Sequence, residues 1–283
     1  MILGLAALAL LSFQTPLPDL PKKHLAAPPK RESAMAKVGN VTIKASDLEA
    51  YLWDWRAQEA LQDLVTHQMI VNEARRQKVT VTDAAIQKEL DRQLAAVKAE
   101  LPPGENLETS IREKGFPRSR LFLRIKSEQL LNALVLKGFS PKGFVKVSTI
   151  IIRPKSELAA DIAEAARQAE DAHNALKNGE PWGDVLSRYT HDASTIEGGG
   201  LLGWRESAAF PSVVRQALQT GQSGAITAPA QTANGIQIFR LEARGDTAQG
   251  PVLEELRQTY LQAKRPAFLE DLKKRTKVVY PKP

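Results

Sequence analysis

The sequence predicts an α+β fold in which a compact strand-and-helix unit is set into a mainly helical module, and three features lead there. Apolar residues recur at helical spacing from Ser46 to Leu136 and again from Pro251 to Arg275, whereas β-branched residues crowd Phe144–Ile152 and alternate through Gly235–Glu242. Both helical flanks are amphipathic and must bury a stripe, so each is the expected partner of the other around the insertion. The length of 283 residues fits about two domains.

The elements follow in order. Ile2–Leu11 is apolar but too short for a membrane span of ~20 residues; it reads as the hydrophobic part of a signal peptide or anchor over residues 1–20. Residues 21–34 are a Pro-rich, cationic linker. Ala36–Ile43 alternates around Gly39-Asn40, a small hairpin. Ser46-Asp-Leu-Glu49 spells a capping box that opens a helix with Ser46 as N-cap. That helix carries Tyr51, Trp53 and Trp55, read as core-packing aromatics with an exposed binding patch as the alternative. Thr82 is the expected N-cap of the next helix, with stripe Ile86, Leu90, Leu94, Val97 and Leu101, stopped by Pro102-Pro103-Gly104. Helices near Leu107–Glu113 and Arg118–Leu136 complete the first module, 35–140.

The inserted unit, 141–246, reads as strand Phe144–Ile152, helices Glu157–Asn178 and Trp182–Tyr189, a Gly-rich loop His191–Gly203, helix Pro211–Leu218, and strands Ala225–Thr227 and Gly235–Glu242. A closing helix Pro251–Arg275 and a last strand Lys277–Tyr280 return to the first module as 250–283.

Composition narrows the chemistry. With no cysteine there is no disulfide, thiolate nucleophile or thiolate metal site. His24, His67, His173 and His191 are too scattered for a metal site, and no cofactor is expected. Gly198-Gly-Gly200 lacks the Lys-Ser or Lys-Thr of a phosphate loop, and no G-x-S-x-G or kinase signature occurs. The net charge of +7 lies outside residues 144–245, which hold ten cations against eleven carboxylates. No dense basic stripe is present, so no nucleic-acid partner is expected.

Three stretches in order, Leu176–Ser194 (LKNGEPWGDVLSRYTHDAS), Gly199–Trp204 (GGLLGW) and Thr232–Phe239 (TANGIQIF), resemble the parvulin-type peptidyl-prolyl cis-trans isomerases. The opening around Val38–Ala50 and the closing helix are similar to the extracytoplasmic SurA and PrsA-like chaperone-isomerases. The resemblance implies a parvulin-like, FKBP-like domain inserted in a SurA-N-like helical chaperone module. It further implies export to the periplasm or cell envelope, clients that are unfolded or nascent exported polypeptides containing proline, and membrane contact only through an uncleaved N-terminal segment.

The implied reaction is rotation about an X–Pro bond against a barrier of about 18–20 kcal/mol. No bond breaks, so neither metal nor cofactor is needed. By the same resemblance, Asp192 stands where relatives place Cys or Asp beside the reacting carbonyl, and Leu202 helps line the proline pocket. Ala209, Phe210 and Val213 fall in its far wall, and Thr232 and Asn234 precede the last strand. The two histidines usual in this family correspond to Thr149 and Gln237, which can still hydrogen-bond across the pocket floor. The alternative is a non-catalytic chaperone whose parvulin-like domain only binds peptides.

Overall fold

The computed structural model describes residues 24–25, 27–190 and 192–280. The signal peptide or anchor expected over 1–20, the start of the linker and His191 lie outside them. The chain forms two compact units, one running to residue 135 and resuming at 267, the other Leu136–Pro266.

In the first unit, strands β1 (Ala34–Val38) and β2 (Val41–Lys44) pair antiparallel. Their tight turn places Gly39 at φ 58°, a left-handed conformation that suits glycine. β2 runs directly into helix α1 (Ala45–Arg76). The capping box expected at Ser46 and Glu49 therefore moves two residues back: Lys44 is the N-cap, and its N–H donates to the Asp47 carboxylate at 2.9 Å. Met69, Ile70 and Ala74 bury the C-terminal half of α1, but Tyr51, Trp53 and Trp55 are exposed, Trp53 by 68%. The core-packing reading of these aromatics is thus overturned.

Helix α2 (Asp83–Ala99) starts at the expected cap, with Thr82 Oγ1 accepting from Ala85 N–H at 3.2 Å. Its Ile86, Leu90 and Leu94 close a core with Ile111 of α3 (Leu107–Glu113) and Leu121, Phe122 and Ile125 of α4 (Arg118–Leu136). Leu272, near the end of α9 (Gly250–Arg275), is also buried. The strand expected at Lys277–Tyr280 does not form; those residues are exposed and pair with no other strand.

The second unit holds a four-stranded antiparallel sheet ordered β4-β3-β6-β5, from β3 (Phe144–Ile152), β4 (Leu201–Glu206), β5 (Ala230–Thr232) and β6 (Gly235–Arg244). On one face Ile150, Ile152, Ile236 and Ile238 pack under α5 (Ala159–Lys177) and α6 (Trp182–Tyr189). On the other, Val145, Val147, Phe239 and Leu241 meet Phe210 and the Val214 and Leu218 of α8 (Ser212–Thr220). Alternating burial on two faces explains why β3 is nearly continuous in apolar residues.

Two stretches differ from expectation. The Gly-rich loop His191–Gly203 instead contains α7 (Ala193–Glu197) and the start of β4, an edge strand bent where Gly203 takes φ 73°. The expected strand Ala225–Thr227 is reduced to one bridge, Ile226 with Arg240. This unit also extends past residue 246, because Tyr260 of α9 packs its ring on Phe139 and Phe144, at 5.1 and 6.0 Å between centroids. Lys146–Glu255 and Lys264–Glu206 ion pairs hold the same part of the helix.

Candidate functional site

The sheet register builds the site's floor. Thr149 pairs with Phe239 and Ile151 with Gln237, so Thr149 and Gln237 are diagonal neighbours on the same face of β3 and β6. Gln237 Nε2 donates to Thr149 Oγ1 at 3.1 Å, and Thr232 Oγ1 donates to Gln237 Oε1 at 2.7 Å. The result is a neutral relay of hydroxyl, amide and hydroxyl. Thr149 and Gln237 are buried, whereas Thr232 is half-buried and forms the relay's outer end. Burying these groups is tolerable because each is hydrogen-bonded.

The hairpin between β5 and β6 fixes that outer end. Asn234 N–H donates to Thr232 Oγ1 at 3.1 Å, and Gly235 O lies 2.9 Å from the same hydroxyl. Asn234 thus acts through its backbone. On the opposite side Thr149 N–H donates to Gly200 O at 2.8 Å. Any Cβ at Gly200, whose φ is 77°, would stand 2.5 Å from Thr149 O, so only glycine brings this loop so close. Trp182 Nε1 donates to Gly199 O at 3.1 Å and pins the loop.

Asp192 caps α7. Its Oδ1 accepts from Ser194 Oγ at 2.6 Å, Ser194 N–H at 3.0 Å and Thr195 N–H at 3.3 Å. The Ser194 hydroxyl, then the Thr195 and Ser194 amides and the Arg153 guanidinium, hold its carboxyl below the usual carboxylate range. It is therefore ionised at neutral pH and offers a fixed negative charge rather than a proton.

Arg153, which sequence reasoning missed, lies between Asp192, 4.0 Å away, and Asn234 O, to which its Nε donates at 3.3 Å. It connects the cap of α7 to the hairpin beside the relay. The available signal was a cation at the end of β3, directly before Pro154.

The apolar residues separate. Leu202 is half-buried and packs with the Phe239 cluster, and Phe210 sits inside that cluster, edge-on to Phe239 at 5.1 Å. Ala209 and Val213 are exposed, Val213 by 77%, so the wall expected from them is shallow and Phe210 does not fill it from outside. A separate cavity of about 270 Å³ lies on the α5 side of the sheet, lined by Pro154, Ile162, Gln231 and Ile236 among others, and includes no relay residue. Among the described residues no three His, Cys, Asp or Glu could jointly hold a metal ion, and no helix is long and apolar enough to cross a membrane.

Residues 150–243 match the rotamase family, described as the PPIC-type PPIASE domain. The chain is 28% identical over 130 residues to the chaperone SurA of Saccharophagus degradans, a match spanning 46% of this chain and 30% of that protein. Against SurA of Pseudomonas fluorescens it is 34% identical over 101 residues, spanning 35% of this chain and 24% of the relative. The match thus covers under a third of these relatives' length. The solved structure of PrsA from Bacillus cereus is similar over 89% of this chain and 95% of its own, at 18% identity and a TM-score of 0.40.

Proposed function

From the premise that residues 150–243 are a parvulin-type peptidyl-prolyl isomerase domain, we propose that the protein is an exported foldase. It turns X–Pro bonds between cis and trans in unfolded polypeptides and holds those chains as a chaperone. The observation that carries the reading is Gln237 bridging Thr149 and Thr232, a hydrogen-bonded floor at the two positions that the resemblance equates with the family's histidines.

The catalytic task is differential binding. A twisted imide loses resonance, its nitrogen becomes a better acceptor, and a donor fixed in place stabilises that form over either planar one. Thr232 is the relay hydroxyl open to a bound peptide, and its one proton, which faces Gln237 Oε1 and Gly235 O in the free domain, would swing from them to the imide nitrogen as the bond twists. Gln237 and Thr149 act through it as positioning residues, holding its orientation from behind. Leu202 offers an apolar surface for the proline ring, and ionised Asp192 adds a fixed field at the mouth.

Proline-limited refolding of an unfolded client tests this. The expected result is a faster slow phase together with suppressed aggregation. The exposed, small Ala209 and Val213 favour a second reading, a domain that binds proline peptides without turning them over. A refolding rate equal to buffer alongside retained suppression of aggregation would select it. Export rests on the apolar Ile2–Leu11, and N-terminal sequencing of protein from the cell envelope checks whether that segment is removed.

A further inference from the structure

The strand that carries the relay's outer end works on two faces. β5 pairs with β6 as Ala230 with Gln237, Gln231 with Ile236 and Thr232 with Gly235. Side chains alternate along a strand, so Thr232 stands on the relay face and Gln231 on the opposite, α5 face. There Gln231 and Ile236 line the cavity of about 270 Å³, with Pro154, Ile162 and Ala165 as its other apolar walls. Ile162 is 43% exposed, and Leu158, which follows the lining residue Glu157, is 69% exposed. The volume falls below the ~300–1,000 Å³ of pockets that enclose drug-sized ligands, and suits one apolar side chain.

The main chain of Gln231 is open as well. Ala233-Asn234 is a two-residue turn, so Thr232 and Gly235 are the hydrogen-bonded pair that closes it, and Gln231 and Ile236 form the non-hydrogen-bonded pair beyond. Gln231 N–H and C=O therefore point away from β6 at the edge of the sheet, and neither bonds to any described residue. Unpaired edge groups are a template for an added strand. This template is one residue long, because Ala230 and Thr232 turn their main-chain groups inward to β6.

One residue of an extended peptide can exchange two hydrogen bonds with Gln231, and residues paired in this way point their side chains to the same face, here the cavity's. Two bonds are too few to hold a folded partner. They suffice for a chain already tethered beside them, for which pairing is intramolecular. The relay supplies that tether. Gln237 lies on β6, and a strand added outside β5 would run two strand spacings from it, about 10 Å, which about three extended residues cross.

We propose that the cavity and the Gln231 edge form a second subsite for the client chain, taking an apolar side chain of Leu or Ile size about three residues from the proline. The proposal rests on the reading of the relay as the proline site. The client then crosses the sheet edge at β5, its proline on the relay face and its apolar residue paired with Gln231 on the α5 face.

A leucine scan tests this. A short labelled peptide with one proline in an Ala and Ser background carries a single Leu, moved position by position to either side of the proline, and fluorescence anisotropy reads its binding to the full-length protein. Leu about three positions away on one side should bind about tenfold more tightly than the Leu-free peptide; a flat scan, or no binding, overturns the proposal. Ile162→Asp changes an exposed wall, and Gln231→Pro removes only the outward N–H, as an edge strand permits. Each should abolish the preference and leave the Leu-free peptide bound as before, whereas Gln231→Ala, which keeps the main chain, should retain it. A preference that survives Ile162→Asp or Gln231→Pro, or is lost in Gln231→Ala, overturns the proposal, as does one that persists when the proline is replaced by Ala. Proline-limited refolding separates the two readings: a rate equal to buffer with the scan intact removes turnover and leaves the subsite, while a faster rate with a flat scan removes the subsite alone.

Discussion

Each unit contains a buried polar cluster, and the two are made of opposite materials. In the helical unit the Glu73 carboxylate, 4% exposed, receives paired contacts from Arg76 at 2.8 and 2.6 Å and from Arg275 at 3.1 and 2.8 Å, with Gln77 beside them. Arg76 first and Arg275 second hold this carboxyl far below the usual carboxylate range. In the second unit the Thr232–Gln237–Thr149 relay carries no charge at all. A charged cluster joins segments 202 residues apart strongly but only while its carboxylate is ionised. A neutral relay gives less energy and keeps one geometry at every ordinary pH.

The largest expected effect falls on the charged cluster. Glu73→Ala leaves two guanidinium groups facing each other and should lower stability by roughly 3 kcal/mol, moderated because both arginines retain water contact, as read from urea unfolding. Because Glu73 has a depressed folded pKa, its contribution is present above its unfolded pKa of about 4.3 and is lost as pH falls below it. The gap between wild type and Glu73→Ala should therefore narrow in acid; a constant gap would show that the carboxylate's charge is not what stabilises.

The next two predictions concern the relay. Gln237→Leu leaves both threonines without their shared partner, and the rate of proline-limited refolding should fall about tenfold, or 1.4 kcal/mol of barrier. Gln237→Glu converts the neutral relay into a titratable one. Burial raises the pKa of such a carboxyl, its protonated form can still donate to Thr149, and activity should be kept in acid and decline as pH rises. An unchanged pH profile in that variant would sink the relay's assigned role.

Smaller effects follow. Asp192→Ala removes the cap of α7 and should cost about 1 kcal/mol or less, while Asp192→Asn, an equally good N-cap, should be nearly neutral in stability. If isomerase activity drops in the Asn variant as well, the fixed charge matters beyond capping. Smallest of all, wild-type activity should change by less than about twofold between about pH 5.5 and 8.5, since neither threonine nor glutamine titrates there.

The helices were legible because their stripes are long: Thr82 and Ile86–Leu94 predicted α2 to the residue of its cap. Strands β4 and β5 were not, because an edge strand bent at Gly203 and a three-residue strand contain too few alternations to be seen against a glycine-rich background. The exposed Trp53 and Trp55 ran against the usual burial of such residues. At the site, family resemblance picked out Thr149, Thr232 and Gln237. Their contact could not be read, since 88 residues separate Thr149 from Gln237 and only the β3–β6 register joins them. Arg153 and the Glu73–Arg275 clasp escaped for the same reason: tertiary partners distant in sequence leave no local pattern.

The relay also alters what can poison the floor. Imidazoles are the commonest ligands for Zn²⁺ and Cu²⁺, and thiolates are the first targets of peroxide. Hydroxyls and a primary amide offer such metals and oxidants little to seize or attack. A floor built from Thr149, Gln237 and Thr232 should keep its structure in surroundings rich in copper or hydrogen peroxide, where one built on histidine and cysteine would be blocked or oxidised.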